Sequence, residues 1–113
     1  MRKLNLKQQV INEYYASGQI MNICEYVNNK KNGWDIWFHE NGNKWIEAEY
    51  KDDIQHGLER YYDNDGLIIY ERPYKNDEIH GTERWFDEFG NVIKEYEYIH
   101  SIGKLKKINN NLI

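Results

Sequence analysis

Cysteine occurs once in this chain, at Cys24, so no internal disulfide can form; a reducing compartment, the cytoplasm by default, is the expectation. Proline is also limited to one residue, Pro73, and no Ser/Gly/Pro-rich stretch divides the 113 residues, which leaves room for a single domain. No apolar run approaches the roughly 20 residues that a membrane span needs. The start, MRKLNLKQQVINEYY, lacks a continuous apolar stretch behind its basic residues and does not read as a secretory leader. Chemical motifs are missing too: there is no C-x-x-C, no H-E-x-x-H and no glycine-rich phosphate loop. Of the four histidines, His56 and His80 each stand directly before a glycine in related places, which reads as turn packing; His39 and His100 form no cluster with other ligand types in the sequence. Cys24 reads as a packed strand thiol. No catalytic residue, metal site or cofactor is expected, and the chain is not expected to be an enzyme.

Positive charge is scarce in the middle of the chain. Residues 32–100 carry seven Lys/Arg against seventeen Asp/Glu, whereas residues 1–31 carry five Lys/Arg and two Glu, and residues 101–113 carry three Lys and no acid. An acidic middle repels a phosphate backbone, so direct nucleic-acid binding is not expected there, and neither is membrane attachment. A charged partner would be a basic protein. What the chain has in excess is aromatic: ten Tyr, four Trp and three Phe, rings that serve equally as packing and as contact anchors.

The rings recur at a fixed interval. Gly33, Gly57 and Gly81 are 24 residues apart, and so are Gly18, Gly42, Gly66 and Gly90. Tyr14, Phe38, Tyr62 and Phe86 keep step with the second glycine, as do Tyr26, Tyr50, Tyr74 and Tyr98; Glu47, Glu71 and Glu95 do the same, with Ile23 in their place in the first unit. The units run approximately over residues 9–32, 33–56, 57–80 and 81–103, with 104–113 a basic C-terminal cap or tail. Degenerate end units suit an array whose terminal faces have no neighbour.

Each unit reads as a β-hairpin. Asn41-Gly42 and Asp65-Gly66 are two-residue hairpin signals, whose favoured turn needs positive φ at both positions. Runs such as GLERYY and LIIYERPY are rich in β-branched and aromatic residues, and the polar stretches KDDIQHG and KNDEIHG make the return to the next hairpin, with a left-handed glycine. Pro73 removes a ladder donor, so an irregularity is expected there. Residues 4–14 admit two readings: Leu6, Val10 and Tyr14 have helical spacing, while alignment with the repeat favours a strand. The fold class that follows is all-β: an elongated, twisted antiparallel sheet of about four stacked hairpins, each dependent on its neighbours.

The segments YKDDIQHGLERYY and YKNDEIHGTERWF resemble the MORN repeat, a Tyr, a polar turn, a Gly and an aromatic strand, and more closely the bacterial variant in which ENGN or DNDG turns precede E-x-x-Y-K-x-x-x-x-H-G. Bacterial proteins of that kind are commonly labelled YwqK-like antitoxins. The resemblance covers residues 12–100 and implies a non-enzymatic protein that neutralises a toxic protein by binding it; it offers no catalytic motif to carry over.

Two sets of residues are candidates for that contact. Glu47, Glu49, Glu71, Glu95 and Glu97 share a strand register and so a sheet face, as a stripe that either docks a basic surface or is simply solvated. Trp34, Trp37, Tyr61 and Trp85 occupy related first strands, either as contact anchors or as packing between units. The expected partner is a protein with a basic surface, a toxin or nuclease, masked without chemistry. Two alternatives stand beside it: a phage-encoded inhibitor of a host nuclease-type defence such as an anti-CRISPR, and a scaffold or lipid-associated MORN-repeat protein. Exposed end strands also leave a homodimer open.

Overall fold

The computed structural model describes residues 7–108, and every regular element in them is a strand. In chain order these are β1 (Gln8–Tyr14), β2 (Ile20–Val27), β3 (Lys30–Phe38), β4 (Lys44–Lys51), β5 (Ile54–Gln55), β6 (Gly57–Tyr62), β7 (Ile68–Lys75), β8 (Glu78–Ile79), β9 (Gly81–Phe86), β10 (Val92–Ile99) and β11 (Ile102–Ile108). They form one open antiparallel sheet in the order β1-β2-β3-β4-β6-β7-β9-β10-β11, with β5 paired to β4 and β8 to β7. The chain runs as a meander because every connection is short, which is the all-β stack of repeats that the 24-residue period implies. The opening segment is the strand β1; residues 4–6, part of the stretch left open between helix and strand, lie outside the described residues, as does the end of the basic tail, 109–113.

Two kinds of turn alternate. At Asn28-Asn29, Asp52-Asp53, Asn76-Asp77 and His100-Ser101 both residues have positive φ, between 48° and 66°. These are the two-residue turns whose twist matches the strands, and Asn and Asp tolerate the left-handed region best among residues with a side chain. The Asn41-Gly42 and Asp65-Gly66 turns differ from expectation. Only the glycines there are left-handed, at φ 95° and 87°. Gly42 N donates to His39 O at 3.0 Å and His39 N to Asn43 O at 2.8 Å, a three-residue loop closed by a glycine bulge. The dipeptides correctly mark reversals but not their type, because the same Gly serves either.

Glycine has a second use where β5 meets β6 and β8 meets β9. His56-Gly57 and His80-Gly81 interrupt those strands, with Gly57 at φ 81° and Gly81 at φ 118°. A Cβ at Gly57 would meet Glu49 Oε1 at 2.9 Å, and one at Gly81 would meet Pro73 Cγ at 3.1 Å. At Gly57 the atom met is the movable end of a side chain, so the positive φ is what requires glycine; at Gly81 the proline ring leaves little room as well. Pro73 sits in register opposite Leu58 without the expected bulge; its other side faces the His80-Gly81 break, which recurs at His56-Gly57 opposite Glu49 and so belongs to the repeat, and no ladder donor is called for there.

The sheet is a single layer. Among the described residues the only buried apolar side chains are Cys24 and Ala48, while Asn22, Asp35, Glu47, Glu71 and Glu83 are buried and polar. A protein without a packed core must hold its strands by contacts between side chains on the same face.

Candidate functional site

The register settles which side chains share a face. One row runs directly across neighbouring strands as Ile36, Glu47, Arg60, Glu71, Arg84 and Glu95. Its charges alternate and touch. Arg60 Nη1 lies 3.6 Å from Glu47 and its Nε 3.3 Å from Glu71; Arg84 Nη1 lies 3.3 Å from Glu71 and its Nε 3.3 Å from Glu95. Lys44 adds a contact of 3.0 Å to Glu47, and the Tyr62 hydroxyl donates to the same carboxylate at 2.5 Å. Burial opposes ionisation of Glu47, but the hydrogen bonds from Tyr62 and Lys44, with the nearby Lys44 and Arg60 charges, hold its carboxyl below the usual range.

The opposite face carries the rings. Its row is Trp37, Ile46, Tyr61, Tyr70, Trp85 and Lys94. Ring centroids are 5.5 Å apart for Tyr61 and Tyr70, 5.1 Å for Tyr70 and Trp85, and 5.7 Å for Trp85 and Tyr96. Lys94 Nζ lies 4.6 Å from the Trp85 centroid, a cation over a ring face. Beside this row sit two buried acids, each with a donor on both carboxylate oxygens. Asp35 accepts from Asn22 Nδ2 at 2.7 Å and Lys31 Nζ at 2.8 Å. Glu83 accepts from the Tyr70 and Tyr98 hydroxyls and pairs with Arg72 at 3.3 Å. Burial and the Glu59 charge push the Tyr61 phenol up to about 12; burial and the hydrogen bond to Glu47 do the same to Tyr62 on the ion face.

The structure thus sorts the residues singled out in the sequence into four groups. Glu47, Glu71 and Glu95 share one face as expected, but two arginines stand between them, so they are paired groups within the sheet and not a free acidic stripe. Glu49 and Glu97 lie on the same face one row away, Glu49 over Gly57 and Glu97 accepting from Thr82 Oγ1 at 2.7 Å. Trp37, Tyr61 and Trp85 line the ring face. Trp34, three residues before Trp37 on one continuous strand, points to the ion face, where its partner in register is Glu49. Apart from Trp34, the candidate rings and the candidate glutamates lie on opposite faces.

Sequence reasoning passed over Arg60 and Arg84, although E-R-Y-Y and E-R-W-F repeat them 24 residues apart. It also missed a clamp between units. Asp53 N donates to Lys31 O at 2.9 Å while its Oδ1 accepts from Lys31 N at 2.7 Å; Asp77 does the same with Gln55 at 3.1 and 2.7 Å, and Ser101 with Ile79 at 2.8 and 3.2 Å. The clamp explains a polar residue at the second place of these turns. Exposed acids collect along this turn edge, at Asp52, Asp53, Asp77 and Glu78.

The histidines stand apart from one another or in pairs. His39 Nε2 lies 3.0 Å from Tyr62 O; the His100 ring lies tilted against His80 with centroids 5.2 Å apart and its Nδ1 is 2.9 Å from Glu78. Among the described residues no group of three or more His, Cys, Asp or Glu is placed to hold a metal ion. Burial pushes the Cys24 thiol up, away from the thiolate a nucleophile needs.

Four segments of the chain, residues 11–28, 36–52, 55–76 and 79–100, match the family described as MORN repeat variant. No curated protein and no solved structure matches the chain.

Proposed function

We propose, from the premise that this chain belongs to the MORN repeat variant family, that it is a non-enzymatic protein-binding module that neutralises an effector protein. MORN repeats suggest a protein-binding or scaffold module; the finer reading is an antitoxin, immunity or inhibitor protein of bacterial type acting in the cytoplasm on a toxin or nuclease with a basic surface. One observation carries it. The rings Trp37, Tyr61, Tyr70, Trp85 and Tyr96 are half-buried on a sheet face that no second layer covers among the described residues. Rings held by one another and by Lys94 and Arg72 are stiff before contact, so little side-chain entropy is lost when a partner covers them. The exposed acids of the turn edge, rather than Glu47, Glu71 and Glu95 with their arginines, are the charges that steer a basic protein onto that face.

The test begins with the tagged chain, used to capture its partner from the cells that make it. The captured protein is then produced alone and assayed for growth arrest and nucleic-acid cleavage, with and without the chain. A basic protein that is toxic by itself and silenced at equimolar chain is the expected result. A captured protein that is harmless alone, or whose toxicity the chain leaves intact, overturns the reading.

A further inference from the structure

The two ends of the sheet are built differently, and we propose that the β1 end is the site of a symmetric dimer formed with a second copy of this chain. All seven residues of β1 are exposed, including Val10 at 61% and Ile11 at 45%, and among the described residues nothing pairs with its outer edge. The other end strand, β11, carries Lys104 and Lys106, so antiparallel pairing of two β11 edges would bring like charges together. β1 holds one charge of each sign near its two ends, Lys7 just before the strand and Glu13 within it. It is the end that suits its own copy.

The hydrogen bonds fix which groups are offered. Lys7 turns both backbone groups toward β2, its N donating to Asn28 Oδ1 at 3.0 Å and its O accepting from Asn28 N at 2.8 Å. By the alternation of an antiparallel ladder Gln9, Ile11 and Glu13 do likewise, so Gln8, Val10 and Asn12 direct their N–H and C=O groups outward. The regular stretch runs from Lys7, opposite the Asn28-Asn29 turn where β2 ends, to the register shift between Glu13 and Tyr14, and Val10 is at its centre. A two-fold axis at Val10, perpendicular to the sheet, sets Val10 against its own copy, Gln8 against Asn12, and Lys7 against Glu13 twice. The Lys7 and Glu13 positions then form non-hydrogen-bonded pairs, the kind in which side chains come closest. The dimer is one continuous sheet with both ring faces on the same side, since a perpendicular two-fold axis does not turn a sheet over. It does not depend on the neutralising role proposed above.

Sedimentation equilibrium of the full chain from micromolar to near-millimolar concentration reads the association directly. A reversible shift from 13.8 kDa toward twice that mass is expected. Val10→Pro removes an outward N–H and no bond to β2, and should abolish the shift while the circular dichroism melt is retained. Lys7→Glu and Glu13→Lys, both at exposed positions, should each weaken the dimer roughly tenfold, and the double variant should return it to within about twofold of the original. A chain that stays monomeric throughout overturns the proposal, as does a dimer indifferent to Val10→Pro. Failure of the double charge swap to restore association overturns the Val10-centred register.

Discussion

The middle of this sheet and its ends are made of the same kind of strand, yet they are held by different means. β4, β6, β7, β9 and β10 each have neighbours on both sides, and charged and aromatic side chains are shared between them: Glu71 serves Arg60 and Arg84, and Tyr70 touches both Tyr61 and Trp85. In β1 every residue is exposed, and in β11 the described side chains are too. A single-layer sheet therefore has a core in one dimension only, running along the rows of the register rather than between layers. Stability should be graded from the centre outward, unlike a globular domain with one buried cluster.

The largest contrast is expected on the ion face. Glu71→Ala leaves Arg60 and Arg84 facing each other without the carboxylate between them, and should cost about 3 kcal/mol in urea unfolding. Glu97→Ala, which removes a carboxylate about half exposed, should leave the urea midpoint nearly unchanged. Equal effects at the two positions would break the idea of a graded sheet. Next comes the ring face, where Trp85→Ala loses contacts to Tyr70, Tyr96 and Lys94 and should cost about 2 kcal/mol. Tyr14→Ala in β1, 58% exposed, should again be nearly neutral by the same measurement. Smaller still is the clamp between units: Asp77→Ala deletes the acceptor of Gln55 N and should cost about 1 kcal/mol, whereas Asp77→Asn, which keeps an acceptor oxygen, should cost less.

Titration sharpens the same comparison. The folded pKa of Glu47 is depressed, so its contribution is complete above the unfolded value near ~4.3 and is lost as pH falls through the lower folded one. Tyr61 and Tyr62 are raised to about 12, so the neutral phenols favour the folded state fully below about 10 and lose that advantage as pH climbs toward 12. Thermal melts across pH should show a plateau between these limits. Tyr62→Phe should blunt the alkaline decline; an unchanged alkaline limb would deny Tyr62 a part in it.

Much of the fold is legible in the sequence because the period is. Equivalent residues 24 apart must occupy equivalent places, and Tyr50, Tyr74 and Tyr98, like Gly33, Gly57 and Gly81, locate strands and breaks before any pairing is known. Turn type was less legible. Asn41-Gly42 carries the strongest dipeptide signal, yet the two-residue turns fall at Asp52-Asp53 and Asn76-Asp77, because the loop is chosen by the register of the strands it closes. The candidate site was legible in part. The glutamates and rings were found from their spacing, but their electrostatic meaning depended on Arg60 and Arg84, which belong to other strands and enter the row only through cross-strand pairing. Trp34 groups with Trp37 in the sequence because both lie on the first strand of one unit, and strand alternation separates them.

Chain order and side-chain type alone determined that this protein is an array of β-hairpins with rings and charges at fixed phase. Only the tertiary structure decided which of those side chains meet. The reason is geometric: the period fixes positions along each strand, whereas a contact in a single-layer sheet is made across strands, and a register displaced by one residue would send every carboxylate of the ion ladder to the face of the rings.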